Sequence, residues 1–521
     1  MALTVDGTAV ELEEGELSLL DALRDVVGSR APKDGCSPQG QCGCCTVLVD
    51  GVARVACVTP LRRVGGRSVT TSDGLDPALR DRLVAAFVAE GASQCGFCTP
   101  GILCRLAALG ESPAPAVVER ALLAHLCRCT GWRTIVAAAS GAAADAGCPR
   151  DFVAAGRRAT LEGGSPQEVG PHVVRGRGGF ADDTAPVGCL VAVPDPSRTE
   201  GWAVGETLAE ARAAAGKIQG RRSGQQVRWP LSFPDGPWDL TLRTTWVEPA
   251  YLEPDASWCV PGGEPHTPLA NGGAFGAKVA SVAPAAARRL ADRLGRPVRV
   301  VFSREDVVRL GPKRPPIAAG VRRDGTGVLR VVRTPGVAAA VGAVAPGVVV
   351  EEVDVPGPAT SMALRGVGWV EVAVLLAGLR RESPAVVRTP GGGSASALVS
   401  LAPSAAGAGG GRPGGVELVE VWVDAGDPLD PVTLRSYCVG AAHMALGWVY
   451  SEALAVGADG EIEDLTLRSF GVLRARDTPE VVVHIQPSEA EPVNGSDAVF
   501  AAVAAAAWQA KGLPASWPTD R

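Results

Sequence analysis

Eight of the 14 cysteines fall into two sets of four near the N-terminus of the 521-residue chain, and each set has a distinctive spacing. The first set follows the pattern C-x5-C-x2-C-x11-C and consists of Cys36, Cys42, Cys45 and Cys57. The second set joins a C-x2-C pair to a C-x-C pair across 28 residues and consists of Cys95, Cys98, Cys127 and Cys129. Four thiolates are a complete ligand set for a metal centre. The spacing therefore predicts two metal centres in the first quarter of the chain.

The first set favours iron and sulfide over zinc. Clusters of the two-iron type take four thiolates, and a loop that carries three of them brings its backbone amides close to the sulfides. Gly35, Gly40 and Gly43 are placed around these three cysteines, where a Cβ would crowd the sulfur atoms. Zinc is the alternative, because a C-x2-C pair matched by a second pair also forms zinc ribbons. The second set alone is compatible with zinc, but the first set does not divide into two such pairs, so we interpret both as [2Fe-2S] ligands.

The remaining cysteines and the histidines show no ligand spacing. Cys44 lies between two predicted ligands, and we interpret it as a small filler because Cys42 and Cys45 preserve the C-x2-C interval. Isolated cysteines usually behave as small core residues, and this interpretation applies to Cys104, Cys189, Cys259 and Cys438. The five histidines form no pairs at a useful spacing and are interpreted as structural.

Composition restricts the partners and the compartment. The formal net charge is −6, which does not favour nucleic acid or an anionic membrane as a partner. The N-terminal segment does not resemble an export signal, and the most apolar stretches are too short or too broken by Gly and Pro to predict a membrane anchor. Eleven of the 14 cysteines precede residue 150, which indicates metal binding rather than disulfides. We expect a protein of the reducing cytoplasm.

Hydrophobic periodicity divides the chain into several parts. Residues 1–75 predict a small sheet, with hairpins at Asp6-Gly7 and Asp50-Gly51 and a helix between residues 17 and 27. Residues 76–147 predict four helices. Beyond them we expect a linker over 148–179, a mixed α/β region over 180–384, a Gly/Ala/Pro-rich linker over 385–415 and a second mixed region over 416–521. The fold class is thus α+β with several domains.

The cysteine motifs resemble those of the molybdenum hydroxylase family, which includes the xanthine dehydrogenases and the aldehyde oxidoreductases. The resemblance rests on GQCGCCTV with a later AC, on QCGFCTPG and on LCRCTGW. It implies a β-grasp, ferredoxin-like [2Fe-2S] domain followed by a four-helix [2Fe-2S] domain, and it places Gln94 and Cys129 next to a pterin. The chain departs from the family by one extra residue between Cys36 and Cys42 and by His125 before LCRC.

Residues 180–521 resemble a shortened molybdopterin-binding subunit. The segment ANGGAFGAK, from Ala270 to Lys278, resembles a glycine loop near molybdenum, and ALRGVGWVE resembles a later cofactor loop. Free amides of such a loop at the start of a helix suit an anion. GGAFG taken alone is more typical of a plain turn, but its position between YLEP and GRPVRVV favours the cofactor loop. The resemblance implies a cofactor-binding set of Gln94, Gly272, Gly273, Phe275, Gly276, Arg365 and Gly366.

Two further departures concern catalysis. Where the family has a glutamine that meets the cofactor, this chain has Ser436, Tyr437 and Gly440. Where the family has a glutamate base near its C-terminus, the stretch VNGSDAVF offers Asp497, whose side chain is one methylene shorter. Asp497 is therefore the candidate catalytic base, and a solvated loop aspartate is the alternative.

The resemblance implies an oxidoreductase that hydroxylates a purine, another heteroaromatic compound or an aldehyde. Electrons would pass from molybdopterin through the second cysteine set to the first. No FAD-binding domain is expected, because the roughly 50 residues between Cys129 and Phe180 are too few for one. The acceptor would then be a separate FAD-binding subunit or another carrier, and the oligomeric state stays open. The alternative is a non-catalytic electron-transfer subunit with a degenerate molybdopterin-binding region that needs a partner subunit.

Overall fold

The computed structural model describes residues 1–13, 17–141, 150–216, 224–267, 273–402 and 413–520. The N-terminal part is a five-stranded sheet of β1 Ala2–Val5, β2 Thr8–Glu11, β3 Thr46–Val49, β4 Val52–Val55 and β5 Ser68–Thr70. The strand order is β2-β1-β5-β3-β4, in which β1 and β5 are parallel and the other pairs are antiparallel. Both predicted hairpins form, since Asp6-Gly7 and Asp50-Gly51 have the positive φ angles of two-residue turns.

A short helix crosses this sheet, and four helices follow it. The crossing helix begins at α1 Leu19–Asp21, which a capping box at Ser18 starts, and continues as a π-helical stretch over Ala22–Val26. The predicted four helices are α2 Pro77–Glu90, α3 Thr99–Ala107, α4 Pro115–Ala121 and α5 Arg133–Ala139. Short 3₁₀ turns occupy Ala56–Val58, Leu61–Arg63 and Leu122–Ala124. The mixed fold class and the helical second part are as predicted.

The segment predicted as a linker over 148–179 contains two helices. These are α6 Phe152–Gly163, which Asp151 caps, and α7 Pro171–Val174. Helix α6 was not predicted from the sequence because two of its charged residues, Arg158 and Glu162, are fully buried and form an ion pair with each other at 3.0 Å. A pattern that assigns charged residues to the solvent side therefore misplaces the buried face of this helix.

Beyond these helices, the described residues contain three four-stranded sheets. The first has the order β7-β6-β10-β9 and packs with α8 Ala181–Thr184, α9 Leu208–Ala214 and α10 Ala283–Leu294. The second has the order β13-β12-β11-β8, and its neighbours in the chain are α11 Arg304–Leu310, α12 Val337–Gly342 and α13 Trp369–Arg380. The strands of these two sheets are β6 Leu190–Pro194, β7 Trp202–Gly205, β8 Leu240–Arg243, β9 Ala256–Cys259, β10 Val298–Val301, β11 Ile317–Val321, β12 Gly327–Val332 and β13 Val348–Val353.

The third sheet overturns the linker predicted over 385–415. Its order is β14-β15-β16-β17, and its strands are β14 Ala385–Arg388, β15 Ser394–Leu401, β16 Val416–Asp424 and β17 Glu480–Ile485. The linker prediction is wrong for residues 385–401, which form two of these strands, and residues 403–412 lie outside the described residues. Small side chains such as Ala395 and Ala397 are buried because the alanine-rich helix α15 Ser496–Ala510 packs on the sheet, and they give these strands a low-complexity appearance.

Helix α14, Pro431–Tyr450, packs along α15 and touches α6 on another side. A last 3₁₀ turn occupies Ala475–Asp477. No helix in the described part of the chain combines the length and the apolar character needed to cross a membrane. The N-terminal ends of α14 and α15 both contact α6, through Arg158 and Glu162 respectively. This meeting point lies beside the second cysteine set, where Gln94 donates to Ser436 of α14, and it positions the candidate site.

Candidate functional site

The first cysteine set is buried, and three of its four members lie on the loop that precedes β3. Cys36, Cys42 and Cys45 are each 1 % exposed, and Cys57 lies in the 3₁₀ turn after β4. Backbone amides of Gln39 and Gln41 donate to Cys36 Sγ over 3.3 and 3.5 Å. Hydrogen bonds with the thiols of Cys42 and Cys57, and then with the amides of Gln41 and Cys42, lower the pKa of Cys36. The hydrogen bonds that they share with Cys36, together with burial, raise the pKa of Cys42 and of Cys57. The loop therefore has one favoured thiolate, Cys36, and it supplies the amide donors that iron–sulfur ligation needs.

The glycines of this loop lie in close contact with their neighbours. A Cβ on Gly35 would lie 3.1 Å from the sulfurs of both Cys42 and Cys44. A Cβ on Gly43 would lie 2.5 Å from the ring of His125. Burial lowers the pKa of His125 to about 3, so this residue is a neutral packing group between the two cysteine loops.

The second cysteine set brings two loops together at the ends of helices. Cys95 and Cys98 precede α3, while Cys127 and Cys129 precede α5. The sulfurs of Cys95 and Cys129 are 3.6 Å apart, and all four cysteines are at most 5 % exposed. Within the described ranges, no group of three or more His, Cys, Asp or Glu side chains is arranged to hold a single metal ion. A two-iron cluster takes two thiolates at each iron, so an adjacent pair such as Cys95 and Cys129 is a suitable ligand pair for one of the two irons.

The two cysteine sets are joined directly through the backbone. The amide of Leu126, which precedes Cys127, donates to the carbonyl oxygen of Cys42 over 2.9 Å. A Cβ on Gly101 of α3 would overlap the carbonyl oxygen of Gly43, so α3 also packs closely on the first loop. This contact gives a short covalent and hydrogen-bonded path between the two sets.

Three segments from distant parts of the chain converge on Cys129. Gln94 Nε2 donates to the carbonyl oxygen of Cys129 over 3.0 Å and to Ser436 Oγ over 3.1 Å. A Cβ on Gly273 would lie 3.1 Å from Cys129 Sγ, and a Cβ on Gly440 would overlap the Cys129 carbonyl oxygen. The absence of side chains at these two glycines therefore permits the contacts. Gly272, which the sequence also singled out, lies outside the described residues.

The other predicted residues adjoin this point. The amide of Arg365 donates to the carbonyl oxygen of Phe275 over 3.1 Å, and its guanidinium lies 4.1 Å from the centre of the Phe275 ring. Arg365 Nε is 2.8 Å from Asp497 Oδ1, so the candidate base is held by an arginine. Gly276 and Gly366 both have positive φ angles and lie beside Phe275 and Arg365. All predicted cofactor-binding residues within the described ranges thus gather in one region.

The cavity in this region is small and mostly apolar. It measures about 50 Å³ and is lined by residues that include Phe275, Leu364, Arg365, Met444 and Phe500. Such a volume has room for a few water-sized groups. The donor chemistry fits the edge of a pterin, with a side-chain amide, a guanidinium and side-chain-free backbone beside Cys129, but the present volume does not hold a whole molybdopterin.

Sequence reasoning missed two buried carboxylates at this site. Glu452 forms a two-pronged ion pair with Arg128, at 2.5 and 2.8 Å, between the cysteine loop and the end of α14. Glu162 of α6 accepts hydrogen bonds from the amides of Gly495 and Ser496, over 3.1 and 2.8 Å, and caps the helix that carries Asp497. Each pair joins residues more than 300 positions apart, so no local signal could have indicated it.

Comparison with known proteins finds similarity over the part of the chain that contains the two cysteine sets. The [2Fe-2S] binding domain family matches residues 71–140. A probable xanthine dehydrogenase subunit of Bacillus subtilis is 39% identical over 141 residues, which cover 26% of this chain and 81% of that protein. The aldehyde oxidoreductase of Megalodesulfovibrio gigas is 39% identical over 150 residues, which cover 27% of this chain but 16% of that protein.

The fold extends the similarity beyond the cysteine motifs. The crystal structure of the aldehyde oxidoreductase from Desulfovibrio desulfuricans superposes with a TM-score of 0.70, and the alignment covers 97% of both chains at 16% identity. At this identity the match establishes the fold alone. The mixed α/β body therefore has the architecture predicted from its scattered motifs.

Proposed function

The chain belongs to the molybdenum hydroxylase family, and from this premise we propose that it is an oxidoreductase that passes single electrons through two [2Fe-2S] clusters. The observation that carries the proposal is the hydrogen bond from Leu126 to Cys42, which puts the two cysteine sets in direct contact. The cluster ligands are Cys95, Cys98, Cys127 and Cys129 in one set and Cys36, Cys42, Cys45 and Cys57 in the other.

We infer that the second set would hold the cluster nearer the electron source and that the first set would hold the cluster nearer the electron acceptor. The contacts of Gln94, Gly273 and Gly440 with Cys129 support entry there, because they join the second set to the candidate cofactor region. At the first set, Val58 next to Cys57 is 57% exposed, so this end lies close to the surface. A separate FAD-binding subunit or another carrier would accept electrons there, as expected of a chain that resembles one subunit of a larger enzyme.

Molybdopterin is the proposed source of these electrons. Gln94, Gly273, Phe275, Gly276, Arg365 and Gly366 would hold it, and it would supply a two-electron acceptor for the oxidative hydroxylation of a purine, another heteroaromatic compound or an aldehyde. In this mechanism Asp497 accepts a proton, and Arg365 holds its carboxylate in place at 2.8 Å.

Metal analysis of the purified chain tests the proposal. We expect about four iron atoms per chain and about one molybdenum atom. Iron without molybdenum would reduce the function to electron transfer that needs a catalytic partner, and zinc in place of iron would refute both. Cys129→Ser should lower the iron content to about two atoms, while Cys104→Ser, which alters a buried thiol outside both sets, should leave it unchanged.

The role of Asp497 needs a kinetic test. Loss of a well-placed general base costs ~10²–10⁴ in rate, so Asp497→Ala should lower kcat by this factor with an aldehyde or a purine and a dye as acceptor. Asp324→Ala, at an exposed turn between β11 and β12, is the matched control. Full turnover of the Asp497 variant in protein that contains molybdenum would remove this residue from the mechanism.

A further inference from the structure

One buried arginine lacks the partner that the other buried cations have. Nine lysine and arginine side chains are buried among the described residues, and eight of them have a carboxylate oxygen within 3.0 Å. The ninth is Arg304, at the start of α11, which has no exposed surface. Burial of a charge without compensation is costly, so a counter-charge is expected near this residue.

The hydrogen bonds of Arg304 reach carbonyl oxygens and no carboxylate. Its Nη2 donates to the carbonyl oxygens of Gly35 and Leu252 over 2.7 and 2.9 Å. Its Nε and Nη1 are buried and have no hydrogen-bond partner among the residues that the structure describes. The charge of the guanidinium is therefore shared with two backbone dipoles alone.

The nearby protein groups compensate this charge only weakly. The ring centre of Tyr251 lies 5.8 Å from Arg304 Cζ. Burial raises the pKa of Asp255, and the charges of Lys278 and Arg304 oppose this effect only in part. The Asp255 carboxylate also accepts a hydrogen bond from the hydroxyl of Tyr251 over 2.9 Å. The counter-charge must then come from another direction.

The first cysteine set lies directly behind the two carbonyl groups. Gly35 precedes Cys36, and a Cβ on Gly35 would lie 3.2 Å from the carbonyl oxygen of Leu252 and 3.1 Å from Cys42 Sγ. Because Arg304 Nη2 is 2.9 Å from the same Leu252 oxygen, these three steps put the guanidinium within about 9 Å of the Cys42 sulfur. Charges interact strongly over this range in a protein interior, where water does not screen them.

A two-iron cluster on the first set would supply the missing charge. Its thiolates and sulfides outweigh the charge of its irons, so the cluster is an anion, and reduction makes it more negative. A buried cation beside it favours the reduced form and raises the reduction potential. The second set has no equivalent, because Arg128, between two of its cysteines, is paired with Glu452 at 2.5 and 2.8 Å.

We propose that Arg304 is the counter-charge of the cluster held by the first cysteine set, and that its guanidinium makes this cluster easier to reduce than the cluster of the second set. The inference rests on the proposed [2Fe-2S] function and adds a residue that gives the electron transfer its direction. In this step one electron leaves the second-set cluster, which is oxidised, and enters the first-set cluster, which is reduced. No proton and no further reactant take part.

A redox titration of the full chain with both clusters, followed by electron paramagnetic resonance, tests the proposal. The signal of the first-set cluster is the one that Cys57→Ser removes. Arg304→Gln keeps an amide donor for the carbonyl oxygens but removes the charge. It should shift the ratio of oxidised to reduced first-set cluster about tenfold toward the oxidised form at a given potential, which equals ~59 mV for a one-electron couple. Arg304→Lys keeps the charge and should shift this ratio by less than about threefold.

The matched control is Arg333→Met. It removes the same charge from a side chain that is 56% exposed and paired with Asp354, so it should leave the ratio unchanged. Should Arg304→Gln fail to fold, Arg304→Met makes the same change in charge and decides in its place.

Two results in iron-loaded protein would overturn the inference alone. One is a first-set potential that Arg304→Gln leaves at the wild-type value. The other is an equal shift in Arg304→Gln and Arg304→Lys, which would assign the effect to the lost hydrogen bonds and not to the charge. A chain that binds no iron at the first set would instead overturn the proposed function together with this inference, and iron analysis distinguishes that case.

Discussion

The ion pair between Arg128 and Glu452 yields the sharpest prediction. Arg128 stands between two predicted cluster ligands, and its Nη1 and Nη2 atoms lie 2.5 and 2.8 Å from the two carboxylate oxygens of Glu452. Its Nε donates to the carbonyl oxygen of Pro249 over 3.0 Å. The two side chains are 4% and 1% exposed. Removal of one charge from such a pair leaves the other buried without compensation, which costs ~3–5 kcal/mol.

We therefore expect Glu452→Gln to lower the free energy of unfolding by ~3–5 kcal/mol, a large share of the ~5–15 kcal/mol typical of a folded protein. Glu351→Gln is the matched control, because Glu351 pairs with Arg330 at 2.9 Å but is 43% exposed. An exposed pair contributes ~0–1 kcal/mol, so the control should lose no more than that. Urea denaturation followed by far-UV circular dichroism and by visible absorbance measures both the fold and the second cluster.

The double variant Arg128→Met/Glu452→Leu separates the pair from the packing. Because neither side chain is charged, it should regain most of the stability that Glu452→Gln loses. A single variant that stays within about 1 kcal/mol of the Glu351 control would refute the argument. It would mean that water or a local rearrangement compensates the Arg128 charge.

Two further predictions concern a glycine and a buried acid. Gly276→Ala should prevent folding or abolish cofactor binding, because its Cβ would overlap the carbonyl oxygen of Ala363. The control is Gly295→Ala, at a residue that also has a positive φ but has open space around it. In urea denaturation, this control should lower the free energy of unfolding by only ~1 kcal/mol. Burial raises the pKa of Glu253 from 4.5 to about 7 despite its ion pair with Lys278. The folded chain then keeps a proton that the unfolded chain loses, so stability should fall by up to ~3 kcal/mol as the pH rises from 4.5 to 7, and Glu253→Gln should remove this slope.

Local chemistry made much of the N-terminal fold predictable. The Asp-Gly turns define both hairpins because few other residues adopt their positive φ angles at low cost. Helix α2 could be predicted because Asp76 and Pro77 start it and Gly91 ends it in a left-handed conformation. The cysteine spacing predicted which thiols lie together, since the three-thiol loop is short.

The errors arise where tertiary contacts override local pattern. Helix α6 was not predicted because Arg158 is fully buried. This arginine donates to Glu162 and to the backbone carbonyl oxygens of Pro428 and Val493, so its charge faces the protein interior. Strands β14 and β15 were missed because their core positions are small residues matched to the alanines of α15. Periodicity cannot reveal a partner that lies far away in the sequence, and the same limit hid Glu452.

The segment predicted to be a plain connection is the one that contacts both ends of the candidate site. Through Glu162, it caps the helix that carries Asp497, and through Gln167, it donates to the carbonyl of Gln94 beside the second cysteine set. Gln94 in turn donates to the carbonyl oxygen of Cys129, so this segment contacts both the helix of the predicted base and the residue that precedes the second cysteine set. A displacement of α6 would therefore disturb both the cap of the helix that carries Asp497 and the hydrogen bond from Gln167 to Gln94.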